Sequence, residues 1–84
     1  MRKSYLITPL NEGQELNYVE EFKFGRSGAI SRAKYMAMRL AETLSHGRIS
    51  VKVEDAKTGK LAFYGTARKT DRGFEVEDQT KDMK

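Results

Sequence analysis

Polar and apolar residues alternate with two different periods along this chain of 84 residues, and each change of period marks an element boundary. The stretch SYLIT (4–8) predicts a first strand, and Pro9, which has no N–H, places either its end or a sheet edge there. NEGQ (11–14) is turn chemistry. In LNYVEEFKF (16–24), Leu16, Tyr18, Phe22 and Phe24 share one parity and predict a second strand with these residues facing inward. Glu20 interrupts that apolar face and marks a bulge or a wet end of the sheet.

GRSG (25–28) separates period two from period 3.6, and a helix follows across GAISRAKYMAMRLAETLSHGR. Ser27 and Ser31 compete as its N-cap. Ser31 is favoured, because Ile30 and Tyr35 then form a hydrophobic staple and Gly28, a poor helix residue, stays outside. Ile30, Ala33, Ala37, Leu40, Ala41 and Leu44 make the apolar stripe, with Met36 at its border and Gly47 as the stop.

Beyond the helix, RISVKVE (48–54) alternates cleanly, with Ile49, Val51 and Val53 inward. DAKTG turns the chain. KLAFYGTARK returns it with Leu61 and Phe63 inward, TDRG turns again, and FEVE is a last short strand through Phe74 and Val76. The order ββαβββ predicts an α+β two-layer sandwich, one helix packed on a four- to five-stranded antiparallel sheet. Residues 1–76 are expected to form the single domain and 77–84 a flexible C-terminal tail. The sheet face away from the helix is expected to be open and to carry Lys52, Tyr64, Arg68 and Lys23. Tyr5, Tyr18, Phe22, Phe24, Phe63 and Phe74 are mostly core by strand parity.

Charge sharpens this picture. The net charge is +4, but residues 23–72 hold 12 Lys/Arg against 4 Asp/Glu, a local net of +8. The flanks hold 4 Lys/Arg against 8 Asp/Glu, a net of −4. A positive field concentrated in the middle of the chain favours an anionic partner, nucleic acid or an acidic protein surface. The absence of Cys, of a spanning apolar run and of a signal-peptide h-region fits a cytoplasmic protein that makes no membrane contact.

Catalytic chemistry has little to build on. The one His, His46, has no Cys partner in the chain, and beside Gly47 it suits the helix end. Zinc would need several Cys or His ligands. Glu54 with Asp55, or Glu75, Glu77 and Asp78, match no Ca²⁺ loop and read as solvated acids. No Walker-A segment or GxGxxG is present. The chain is therefore expected to be no enzyme and to use no cofactor or metal.

Two constellations suit binding. On a 3.6 period Arg32, Tyr35 and Arg39 fall on one flank of the helix, with Glu42 further along, and Lys34 falls on the other. Aromatic residues between Arg residues are enriched in binding hot spots. In the last hairpin, Arg68, Lys69 and Arg72 lie near Tyr64, a combination suited to phosphate contact and base stacking.

At ISRAKYMA (30–37) followed by SHGR (45–48), and in the opening SYLI (4–7), the chain resembles small phage-encoded anti-CRISPR proteins of the type I-F class. The resemblance implies a strand-strand-helix-strand-strand domain. It also implies a non-catalytic inhibitor that docks on the guide-bearing backbone of a surveillance complex and competes with target DNA. Lys34 and Arg39 match basic helix positions of that motif, and Arg72 matches the basic residue of the hairpin. The residue after the motif Lys is basic in the family and is Tyr35 here; the helix is also longer, and Cys is absent. The partner expected is a host protein or ribonucleoprotein complex, with DNA or RNA bound directly as the alternative and a structural accessory role as a third reading. A monomer or small homo-oligomer is expected.

Overall fold

The computed structural model describes residues 3–44 and 47–83. The elements run β1 (Tyr5–Asn11), β2 (Gln14–Glu15), β3 (Glu20–Phe22), α1 (Arg26–Thr43), β4 (Ile49–Asp55), β5 (Leu61–Thr70) and β6 (Gly73–Asp78), then a 3₁₀ turn at Thr80–Met83. All strand pairs are antiparallel, in the order β2-β1-β4-β5-β6, with β3 also paired to β1. One helix on one face of this six-stranded sheet makes the α+β two-layer arrangement the sequence predicts.

The core lies between α1 and the middle strands. Ile7, Ile49, Val51, Val53 and Phe63 supply the bulk, and α1 meets them with Ala29, Ala33, Ala37 and Met36. Small residues on the helix and β-branched residues on the sheet let the two layers approach closely. The buried stripe is thus rotated from the expected one. Met36 is inside, Ile30, Leu40 and Ala41 are only partly buried, and Leu44 is exposed.

The helix also starts six residues earlier than a cap at Ser31 would place it. Arg26 is its first residue, Gly25 precedes it, and no side chain caps it. Gly28 belongs inside the helix for a packing reason. The Phe22 ring lies over it, and a Cβ there would sit 2.7 Å from a ring carbon. Helix propensity, which argued against Gly28, is outweighed by this contact. The C-terminal end comes at Thr43, where the Leu44 N–H reaches the Leu40 carbonyl at 2.7 Å. His46, with its expected helix-end role, lies outside the described residues.

The predicted second strand divides. Glu12 (φ 53°) and Gly13 (φ 80°) turn the chain, and Gln14–Glu15 pair with the end of β1. The Leu16 N–H then bonds the Pro9 carbonyl at 3.0 Å, and pairing resumes only at Glu20. Tyr18 and Phe24, expected to be inward, are 51% and 67% exposed. Pro9 does not end β1. It lies opposite Val51, at the gap between β3 and β2 on the other side of β1. Its carbonyl points into that gap toward Leu16, so its nitrogen does too, and the missing N–H interrupts no ladder bond.

A bulge accounts for Leu61. Val53 pairs with Phe63 but Glu54 pairs with Leu61, so Ala62 is the extra residue. Ala62 packs toward the core, and Leu61 passes to the face away from α1. On that face Thr8, Ser50 and Thr66 are buried. Thr66 gives its proton to Gln79 Oε1 at 2.6 Å, which leaves Ser50 to donate to Thr66 at 3.0 Å. Gln79 also donates its N–H to the Tyr64 carbonyl, and Thr80 Oγ1 accepts the Tyr64 N–H. Within the expected tail, residues 77–83 therefore complete β6 and form a turn hydrogen-bonded to β5.

Candidate interaction surface

The flank of α1 nearest β3 carries the best-organised polar group of the molecule. Arg32 donates from Nε to Glu20 Oε2 at 2.7 Å and from Nη2 to Glu20 Oε1 at 3.0 Å. Tyr18 donates its hydroxyl to Glu20 Oε1 at 3.1 Å. The Arg32 guanidinium lies 5.7 Å from the centre of the Tyr35 ring. A bidentate pair fixes a guanidinium more firmly than a single contact does. The result is a continuous run Tyr18–Glu20–Arg32–Tyr35, with both aromatic rings about half exposed.

The electrostatics follow from these contacts. The Arg32 guanidinium holds the Glu20 carboxyl below the usual carboxylate range, and Glu20 in turn raises Arg32. The hydrogen bond to Glu20 also raises the Tyr18 phenol. Glu20, which breaks the apolar pattern in the sequence, is on the helix side because Arg32 is there to receive it. Tyr18 and Glu20 belong to this site although sequence reasoning did not select them. The usable signal was the polar residue in an otherwise apolar face.

The structure splits the remaining sequence-predicted residues. Arg39 shares the Arg32 flank and pairs with Glu42 at 3.7 Å. Lys34 lies on the other flank, 5.7 Å from the Phe63 ring centre. There it borders a concavity of about 570 Å³ with Arg26, Ile30, Phe63, Asp78 and Thr80. Asp78 is held below its ordinary range, first by the Thr80 hydroxyl and backbone N–H, with Lys34 and Arg26 adding to the effect. In the hairpin, Lys69 shares a small concavity with Ala41, Glu42 and Phe74, and Arg72 is at the tip. Arg68 is opposite Glu75, and strand alternation puts it on the far face. Arg68 on the far face and Arg72 at the hairpin tip thus stand apart from Arg32 and Tyr35, whereas Lys69 shares its concavity with Glu42, the partner of Arg39.

The far face carries Lys52, Tyr64 and Arg68 as expected, with acids set among them. Lys52 pairs with Glu15 at 3.0 Å and Glu54 at 3.7 Å, which raises its pKa. Glu75 and Glu77 share the face with Arg68. The candidate metal acids have structural duties instead. Asp55 accepts the N–H groups of Lys57 and Thr58, and Asp78 accepts that of Thr80. Among the described residues no group of three His, Cys, Asp or Glu side chains could hold a metal ion. Likewise, no helix there is long and apolar enough to cross a membrane. Compared with protein-family descriptions, curated proteins and solved structures, the chain matches none.

Proposed function

We propose that this chain is a non-catalytic interaction protein that docks on a nucleic-acid-handling host complex and inhibits it, as the resemblance to type I-F anti-CRISPR proteins implies. The observation that carries the reading is Tyr35, 51% exposed and held against an Arg32 that Glu20 fixes in place. An exposed aromatic beside a pre-positioned Arg costs little side-chain entropy on docking and is the usual make-up of an interface hot spot. Arg39 shares this flank, while Lys34 stands on the opposite one.

Charge supports a protein or ribonucleoprotein partner over bare nucleic acid. Arg32 and Arg39 on this flank of the helix are paired with Glu20 and Glu42. Cations neutralised within the chain add little to a phosphate-seeking field.

The test compares the wild-type chain with Tyr35→Ala and with Lys34→Glu, Arg39→Glu. The readouts are thermal melting, inhibition in the host, and binding to the captured complex and to bare DNA and RNA. The expected result is an unchanged melt, binding to the complex weakened at least about tenfold, or 1.4 kcal/mol, and poor binding to bare nucleic acid. Tight binding to bare nucleic acid that collapses with added salt would replace this reading with direct recognition. Unchanged binding to the complex in both variants would remove α1 from the interface.

A further inference from the structure

The outer edge of β6 is the second surface that stands open, and it is independent of the α1 reading. β6 closes one side of the sheet order, and its far side meets no strand among the described residues. The hydrogen bond from the Gln79 N–H to the Tyr64 carbonyl sets the phase of the β5–β6 ladder. By alternation, Thr66 with Glu77, Arg68 with Glu75 and Thr70 with Gly73 are the bonded pairs. Phe74 and Val76 therefore turn their backbone N–H and C=O groups outward. Their side chains lie on the helix side, opposite Lys69 and Ala67, while Glu75 and Glu77 lie on the far face and are exposed.

This arrangement selects among occupants. A second copy would pair through a two-fold axis normal to the sheet, which sets residues of equal parity opposite one another. Centring that axis on Glu75 places Glu75 against Glu75; centring it on Val76 places Glu75 against Glu77. Like charges directly opposite across strands are destabilising. The edge thus repels itself, a common protection of edge strands. The same two carboxylates attract a strand with Lys or Arg at the facing positions.

We propose that β6 is a docking edge for an extended segment of a partner protein in which basic and apolar residues alternate. The segment adds a strand to the sheet. Its backbone pairs with Phe74 and Val76, its cations face Glu75 and Glu77, and its apolar residues lie beside Phe74 and Val76 on the helix side. Main-chain bonds of this kind give affinity, and the alternating side chains give specificity.

The probe is a blocked eight-residue peptide alternating Lys and Val, added to isotope-labelled protein, with amide hydrogen exchange followed residue by residue by NMR. The expected result is saturable binding with exchange at the Phe74 and Val76 amides slowed at least about tenfold, the amides of β2 and β3 being unaffected. Glu75→Lys, Glu77→Lys, checked for an unchanged melt, is expected to lose the Lys/Val peptide and to take a Glu/Val peptide instead. Three results would overturn the proposal. One is no added protection at Phe74 and Val76. Another is equal binding of both peptides by wild type and variant. The third is protection that rises with protein concentration alone, which would make the occupant a second copy. None of these outcomes bears on Tyr35 or the α1 flank.

Discussion

Gly65→Ala isolates the contact on which the sheet and its last strand depend. Gly65 is buried in β5, opposite Val51 on one side and Asp78 on the other. A Cβ at this position would lie 2.6 Å from Val76 Cγ1 and 2.7 and 2.8 Å from Phe63 Cζ and Cε2. Carbon pairs prefer about 3.5–4.0 Å, so Val76 and Phe63 would each have to retreat by about 1 Å. Phe63 is 3% exposed and packs within the core, and Val76 packs against that core, so a retreat of either disturbs packing already made. Overpacking of this kind costs about 1–3 kcal/mol. The alanine regains about 0.4–1 kcal/mol by restricting the unfolded chain. The net expectation is a loss centred on about 1.3 kcal/mol, within a range of about 0–2.6, or roughly 5–10 °C in Tm at the centre for a domain of this size. Thermal and urea denaturation followed by circular dichroism measure it. A double-mutant cycle with Val76→Ala sharpens the test, since the smaller side chain vacates the clash. The double variant should be more stable than the sum of the single losses by at least about 0.5 kcal/mol. A Gly65→Ala protein that melts at or above wild type, or strict additivity in the cycle, would refute the reasoning.

Met36→Ala is expected to cost about 2–5 kcal/mol in urea titration and Leu40→Ala less than the lower bound, because Met36 is buried and Leu40 is only partly so; the reverse ranking would return the helix to its sequence-predicted orientation. Glu20 should titrate below an ordinary glutamate in carboxyl NMR, and Arg32→Ala should move it upward. Its folded pKa is depressed, so its contribution to stability is present above the unfolded pKa and fades as pH falls through the folded one; a midpoint unmoved by Arg32→Ala would sink the pairing.

The strands that alternate without interruption were the legible part of the fold. Ile49, Val51 and Val53 face the core as periodicity demands, and the helix packs across them. The misreadings share a cause, which is that each position was decided by a contact with a neighbouring element rather than by its own local pattern. Gly28 enters the helix because Phe22 covers it. Leu61 changes face because Ala62 is spent on a bulge against β4. The run at 16–24 loses its strand in the middle because Leu16 turns back to Pro9. Local propensity has no access to such contacts, and they outweigh it where they occur.

The site was legible as residue types and illegible as charge. Counting charges along the sequence gives residues 23–72 a local net of +8 and suggests a broad basic face. Folding brings acids from both flanks onto that segment. Glu20, from the N-terminal flank, takes Arg32; Glu15 takes Lys52; Asp78, from the C-terminal flank, lies where it feels Lys34 and Arg26. The acidic flanks and the basic middle are therefore two sides of one set of pairs. What remains at the surface of α1 is less a positive field than a fixed geometry, an aromatic ring beside an immobilised guanidinium. Net charge speaks to long-range steering, whereas specific docking depends on which groups are already held in place. For this chain the second consideration puts Tyr35 ahead of Lys34 and Arg39 as the residue whose loss should matter most to a partner.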